Sequence, residues 1–231
     1  MQQVQGRINV APQQSAVMAH STASWRAGLG AAALVIAGIF FVLYPWLRPF
    51  SDEVSLDGAA AFASDNWLIA HMLAMVGFTL LPVGVFSLYQ SLRETVFERT
   101  AYWGLVLMQV AVGLTLPFYG GEAFGLHAIG QEALRQQSDA LMGLSAVVRG
   151  GPGLILFLAA LLLLGIASIF VAAVLWRAPT FSRWSGVPLA LGLALFIPQF
   201  FASQPLRVAH GVLIAVGCTW IALEIWWHRA S

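Results

Sequence analysis

Two histidines, His71 and His210, stand inside long apolar runs, each about one turn in from a polar boundary. Imidazole changes charge near neutral pH and is the commonest metal ligand. A third histidine, His127, follows Glu122 in "FYGGEAFGLHAIG", residues 118–130, among four glycines. Arg149 precedes another apolar run, and Arg207 opens the last one. Ionisable groups within or beside hydrocarbon are costly, so where they occur they mark function or specific pairing. Three chemistries fit these residue types. His71 and His210, on two helices at equal depth, form the pair that axial haem ligation needs. With Glu122 or His127 added, the set suits a transition metal such as zinc, iron or copper. Alternatively, His71, Glu122, Arg149, Arg207 and His210 line an outward-facing cavity for a small molecule, a lipid headgroup or a proton path. The arginines would then attract an anionic group and Glu122 or a histidine would relay protons. In a further reading the same residues only pair with one another, and the protein is a scaffold or accessory subunit.

Spacing constrains the middle of this set. Glu122 and His127 are five apart, so on a regular helix they diverge by about 140°. They are not an i, i+4 metal pair, and only a break at the glycines would bring both to one centre. The stretch therefore reads either as a glycine-rich exit from the membrane or as a turn that aims Glu122 inward, at His71 or an arginine. On the last apolar run, Arg207, His210, Gly217, Glu224 and His228 share an arc of about 100°, so one face of that helix is polar.

The elements that must hold these residues are set by composition. The chain has 231 residues, 59% hydrophobic and 9% charged, where a soluble domain carries about 25% charged residues. A lipid bilayer is the environment that fits. All eleven basic residues are arginine, and no run of them is long enough to track phosphates, so nucleic acid is not a partner. The single cysteine, Cys218, allows no internal disulfide and reads as a small packing residue.

Six apolar blocks, roughly 27–47, 67–90, 101–121, 152–176, 186–203 and 206–227, are each near the length of about 20 residues that a spanning helix needs. The fold expected is all-α: a six-helix transmembrane bundle with a short amphipathic outer-surface helix. Residues 1–25 read as a disordered cytoplasmic tail, and 26–231 as one six-span membrane domain. The first block has no small-residue cleavage site close behind it and reads as a retained span. Eight of the nine tryptophans fall at the proposed span ends, Trp67 among them, as headgroup-level rings do. Seven arginines fall on the side of the two termini and four on the other. By the positive-inside rule both termini are cytoplasmic, in a multi-pass protein of the cell membrane.

Two outer segments are longer than turns. In 48–66, Asp65 is placed to cap the second span. In 131–148, Leu134, Leu141, Leu144 and Val148 recur at helical spacing, which predicts the surface-lying helix. Stripes of small residues, Gly186/Ala190/Ala194 and Gly211/Ala215/Cys218/Ala222, predict close helix packing. A membrane partner subunit or a homo-oligomer is compatible with such faces. There is no phosphate-binding glycine loop, HExxH, GxSxG or CxxC.

The segments "ASDNWLIAHMLAMVGFTLL", "YGGEAFGLHAI" and "RVAHGVLIAVG" resemble stretches of small multi-span bacterial membrane proteins to which no activity is assigned. The resemblance covers most of the spans but not the tail. It implies six spans and a cell-membrane location, and carries no activity or site residue with it.

Overall fold

The computed structural model describes residues 10–228, with side chains from 25 to 227. Among the described residues all regular structure is helical, in the order α1 (Val10–Leu47), α2 (Leu56–Ala63), α3 (Asp65–Ser91), α4 (Glu98–Gly120), α5 (Leu126–Gln136), α6 (Leu144–Arg149), α7 (Gly151–Arg177), α8 (Val187–Ala194) and α9 (Gln204–His228). Five stretches are long and apolar enough to cross a membrane: Trp25–Leu47, Asp65–Ser91, Glu98–Gln136, Gly151–Arg177 and Gln204–Trp227. The chain is a multi-pass, all-helical membrane protein. Helix α1 begins at Val10, inside the stretch read as a disordered tail; residues 1–9 lie outside the described residues.

The fifth block differs from a straight span. Helix α8 ends at Ala194, and a 3-10 turn, Pro198–Phe201, follows before α9. Pro198 has no N–H to continue an α-helix, so the polypeptide crosses this layer as a short helix and a tighter turn.

The long helices alternate in direction. The two described ends of the chain therefore lie at one end of the bundle, the terminal end, and the 48–64 and 126–150 segments at the other, the cap end. Small residues set the packing, as hydrocarbon surroundings require. A Cβ on Gly211 would lie 2.2 Å from the Phe41 carbonyl oxygen, and one on Gly38 would lie 2.9 Å from the Ala215 Cα, so α9 and α1 touch backbone to backbone. Cys218 is buried in the same seam, as a packing residue. The Gly186 stripe of the fifth block meets Ala172 on α7, and Gly165 of α7 meets Ala194.

The tryptophan belt holds with one correction. Trp25, Trp46, Trp103, Trp176, Trp184, Trp226 and Trp227 are exposed near span ends, whereas Trp67 is fully buried. It belongs to a second, smaller core with Ala59, Phe62, Leu126, Ala133 and Met142. This core makes the cap. Helices α2 and α5 approach so closely that a Cβ on Gly130 would lie 2.6 Å from the Ala59 carbonyl oxygen.

The 131–148 segment is not one surface-lying helix. It is the end of α5, a left-handed Gln137 (φ 52°), a 3-10 turn Asp139–Gly143, and α6. Leu134, Leu141 and Val148 pack on the cap core, while Leu144 stays exposed. Asp65 is not the cap of α3 either: the Ser64 hydroxyl accepts the Trp67 N–H at 3.2 Å and takes that role.

Candidate functional site

The quoted glycine stretch is neither an exit loop nor a break. Helix α4 runs on through a π-helical turn, Gly121–Gly125, directly into α5. A π turn leaves the i→i+4 ladder out of step, and such turns recur at functional sites. Here the Glu122 carbonyl oxygen accepts the indole N–H of Trp67 at 2.7 Å. Gly121 lets α6 come close, since a Cβ there would lie 3.2 Å from a Val148 methyl. Val148 is followed by Arg149, whose guanidinium is thereby delivered onto Glu122.

That pair is bidentate. Arg149 Nε donates to Glu122 Oε1 at 2.5 Å, and its Nη2 donates to Oε2 at 3.0 Å. The third guanidinium nitrogen, Nη1, donates to Glu53 Oε2 at 2.5 Å. Glu53 in turn accepts from Arg48 Nη2 at 2.6 Å. The chain Arg48–Glu53–Arg149–Glu122 alternates in sign and sums to zero, which is the arrangement that makes ions tolerable away from water. Burial works against the Glu53 carboxylate, but the Arg149 and Arg48 guanidiniums outweigh it and hold its pKa below the usual carboxylate value. For Arg149, burial opposes the charge and the two carboxylates more than restore it, raising its pKa.

Glu53 is held there by an unusual loop. Its φ is +58°, in the left-handed region that side chains other than glycine seldom adopt. Asp52 accepts the N–H groups of Val54 and Ser55, both at 3.0 Å, and Ser55 caps α2. Gly58 must be glycine-small, because a Cβ there would lie 2.7 Å from the Glu53 Cα.

His71 lies beneath this chain and is fully buried. Its Nδ1 is 2.7 Å from the Trp67 carbonyl oxygen. A carbonyl cannot donate, so in the neutral ring the proton is on Nδ1 and Nε2 carries a lone pair. Nε2 has no hydrogen-bond partner and faces Glu122 Oε2 across 3.8 Å. The Tyr119 hydroxyl, also buried, lies close by, with the Tyr44 hydroxyl as its polar neighbour. The Tyr44 ring packs edge-on to both, 5.3 Å from His71 and 5.8 Å from Tyr119. Arg48 covers the Trp67 ring at 4.6 Å.

His210 and Arg207 make a separate group. His210 Nε2 donates to the Gly192 carbonyl oxygen on α8 at 2.7 Å. Arg207 donates to the carbonyl oxygens of Ala202 and Phe200, at 2.9 and 2.5 Å, and so caps the 3-10 turn. With Tyr44 and Gln199 these two residues line a cavity of about 10 Å³, room for roughly one water. Tyr44 is the residue common to this cavity and to the His71 group. His127 points elsewhere: its Nδ1 meets the Phe62 carbonyl oxygen at 2.9 Å and its Nε2 meets the Gln131 side chain at 2.9 Å.

Of the sequence-derived set, then, His71, Glu122 and Arg149 come together, Arg207 and His210 form a neighbouring group, and His127 sits on the cap. Among the described residues no three His, Cys, Asp or Glu side chains converge as metal ligands do. His210, Glu122 and His127 are held by other partners, and His71 alone keeps a buried ring nitrogen without one. As placed, they do not fit the haem or transition-metal reading.

The sequence reading did not single out Arg48, Glu53, Trp67, Tyr44 or Tyr119. The i, i+4 relation of Trp67 and His71 was an available signal; the left-handed Glu53 had none. Comparison of the chain with protein-family models, with curated proteins and with solved structures returned no match.

Proposed function

We propose that the protein spans the cell membrane with both termini in the cytoplasm, and that its cap closes an outer polar site whose state is set by a proton at His71 and Glu122. Orientation rests on arginine placement. Arg26, Arg93, Arg99, Arg177 and Arg183 lie at the terminal end, where the positive-inside rule puts the cytoplasm. The observation that carries the functional reading is the buried His71 Nε2, an unpartnered lone pair facing a carboxylate oxygen at 3.8 Å.

In the neutral state both atoms are acceptors, and Glu122 is satisfied by Arg149 alone. A proton arriving at Nε2 makes an imidazolium, and the gap closes to the roughly 2.8 Å of a charge-assisted bond. Glu122 is then shared between His71 and Arg149, and the previously neutral chain gains one positive charge. The cap is held to α4 through Arg149, so its grip weakens. Opening exposes Arg207 and His210 to a small anionic molecule or headgroup. The other charged or titratable groups around His71 are Tyr44 from α1, Tyr119 from α4, Arg48 above Trp67, and Glu53 behind Arg149. Each acts on the proton as a fixed neighbour.

Hydrogen exchange of α2 and α5 tests this, with the full chain in lipid nanodiscs and the pH lowered from neutral. Wild-type protein is expected to exchange faster in these helices as His71 takes its proton, while α7 is unaffected. His71→Gln is expected to flatten that response. Identical profiles in the two proteins would overturn the reading.

A further inference from the structure

The lipid-facing side of α4 carries one residue that hydrocarbon cannot satisfy. Gln109 is exposed, eleven residues into the helix, hence about 16 Å along it and near the middle of a hydrocarbon layer of about 30 Å. Its amide has no partner among the described residues. A bare amide in lipid costs several kcal/mol on transfer scales, so a partner is expected in the native membrane.

The surroundings define that partner. Gln109 lines a groove of about 480 Å³ between α3 and α4, whose other walls are apolar, including Pro82, Phe86 and Val110. Along α4, Tyr102, Gln109, Gly113 and Gly120 share a stripe about 40° wide. A Cβ added at Gly113 or Gly120 would meet nothing within 4 Å, so the stripe is open on its outer side and a second helix could lie close.

We infer that this face of α4 is a homodimer interface, in which Gln109 of one chain hydrogen-bonds Gln109 of a second copy across a twofold axis. The amide is what commits the groove to a second copy. It carries both donors and an acceptor, so two amides related by a twofold axis each donate one N–H to the other's oxygen. A lipid acyl chain offers neither. The inference does not depend on His71 or the cap.

The test uses the full chain in bilayers. The protein's single cysteine, Cys218, is replaced by alanine so that an introduced thiol is unique. Gly113→Cys, one turn along the same stripe with Gln109 intact, is expected to form a disulfide-linked dimer under mild oxidation, because the twofold axis brings this stripe against itself. Val212→Cys, in the comparable groove on α9, is expected to stay monomeric. Gln109→Leu is expected to weaken self-association about tenfold, measured by single-molecule photobleaching, with folding checked by unchanged helicity. A monomeric wild type, absence of the Gly113→Cys cross-link, or equal cross-linking at Val212→Cys would each overturn the inference. The first outcome would leave lipid in the groove and the second a different partner.

Discussion

Glu122 is contested by three neighbours, and the terms of the contest can be measured one residue at a time. Arg149 holds its carboxylate by two hydrogen bonds, His71 waits across 3.8 Å, and Trp67 holds its backbone oxygen. Replacing one member of such a pair strands the other, at a cost of about 3–5 kcal/mol for buried pairs. Glu122→Gln alone and Arg149→Met alone are therefore expected to lower stability strongly, and the double substitution by less than the sum. A double-mutant cycle by thermal unfolding in nanodiscs checks this, and simple additivity would contradict it. Glu53 adds a pH dependence of its own. Its folded-state pKa lies below the ordinary value of about 4.3. The stability it supplies is thus complete above that value and is lost as the pH falls through the lower folded value. Glu53→Gln is expected to remove this acid-side loss, seen as an unfolding midpoint that changes less on acidification. How much of this was legible in the sequence varies by residue. His71, Glu122 and Arg149 announced themselves by being ionisable in an apolar setting. Glu53 did not, because a carboxylate in a loop is ordinary until the backbone is known to be left-handed there.

At the scale of elements, the π turn and the cap decide the geometry. The long helices could be read from hydropathy, since each needs only length and composition. The glycine stretch 118–130 could not be read, because Gly-Gly-Glu is equally consistent with an exit loop. What settles it is tertiary: Trp67 accommodates the carbonyl that the π turn frees, and Val148 fills the space above Gly121. The 131–148 segment was misjudged for a related reason. Its leucines have helical spacing, but Gln137 takes a left-handed conformation and folds them back onto α2. Gly130→Ala tests the cap as a unit. With 2.6 Å available to the new methyl, α2 and α5 must separate, and overpacking of this kind costs about 1–3 kcal/mol. Faster hydrogen exchange confined to the cap is the expected result; an unchanged cap would show that the two helices are not held at this contact.

Over the whole molecule, two ends with different tasks are joined by a tightly packed apolar layer. The terminal end carries arginines such as Arg93 and Arg177 at span boundaries, and part-buried connections such as Glu224 accepting the Ser182 N–H at 3.1 Å and the Ser87 hydroxyl donating to the Arg26 carbonyl oxygen at 3.1 Å. The cap end carries the neutral-sum ion chain, with His71 and Tyr119 buried beside it. Sequence-level topology put these groups at one depth, but it could not divide them into the His71 group and the Arg207 group, because depth says nothing about rotation around a helix. The central claim is the state of one ring. Solid-state nitrogen NMR of histidine-labelled protein in bilayers, with His71→Gln used to assign the resonance, reads it directly. The account predicts a neutral His71 with its proton on Nδ1 at neutral pH, converting on acidification to a doubly protonated ring bonded to Glu122. A proton on Nε2 at neutral pH, or a ring that stays neutral wherever the protein is folded, would contradict it.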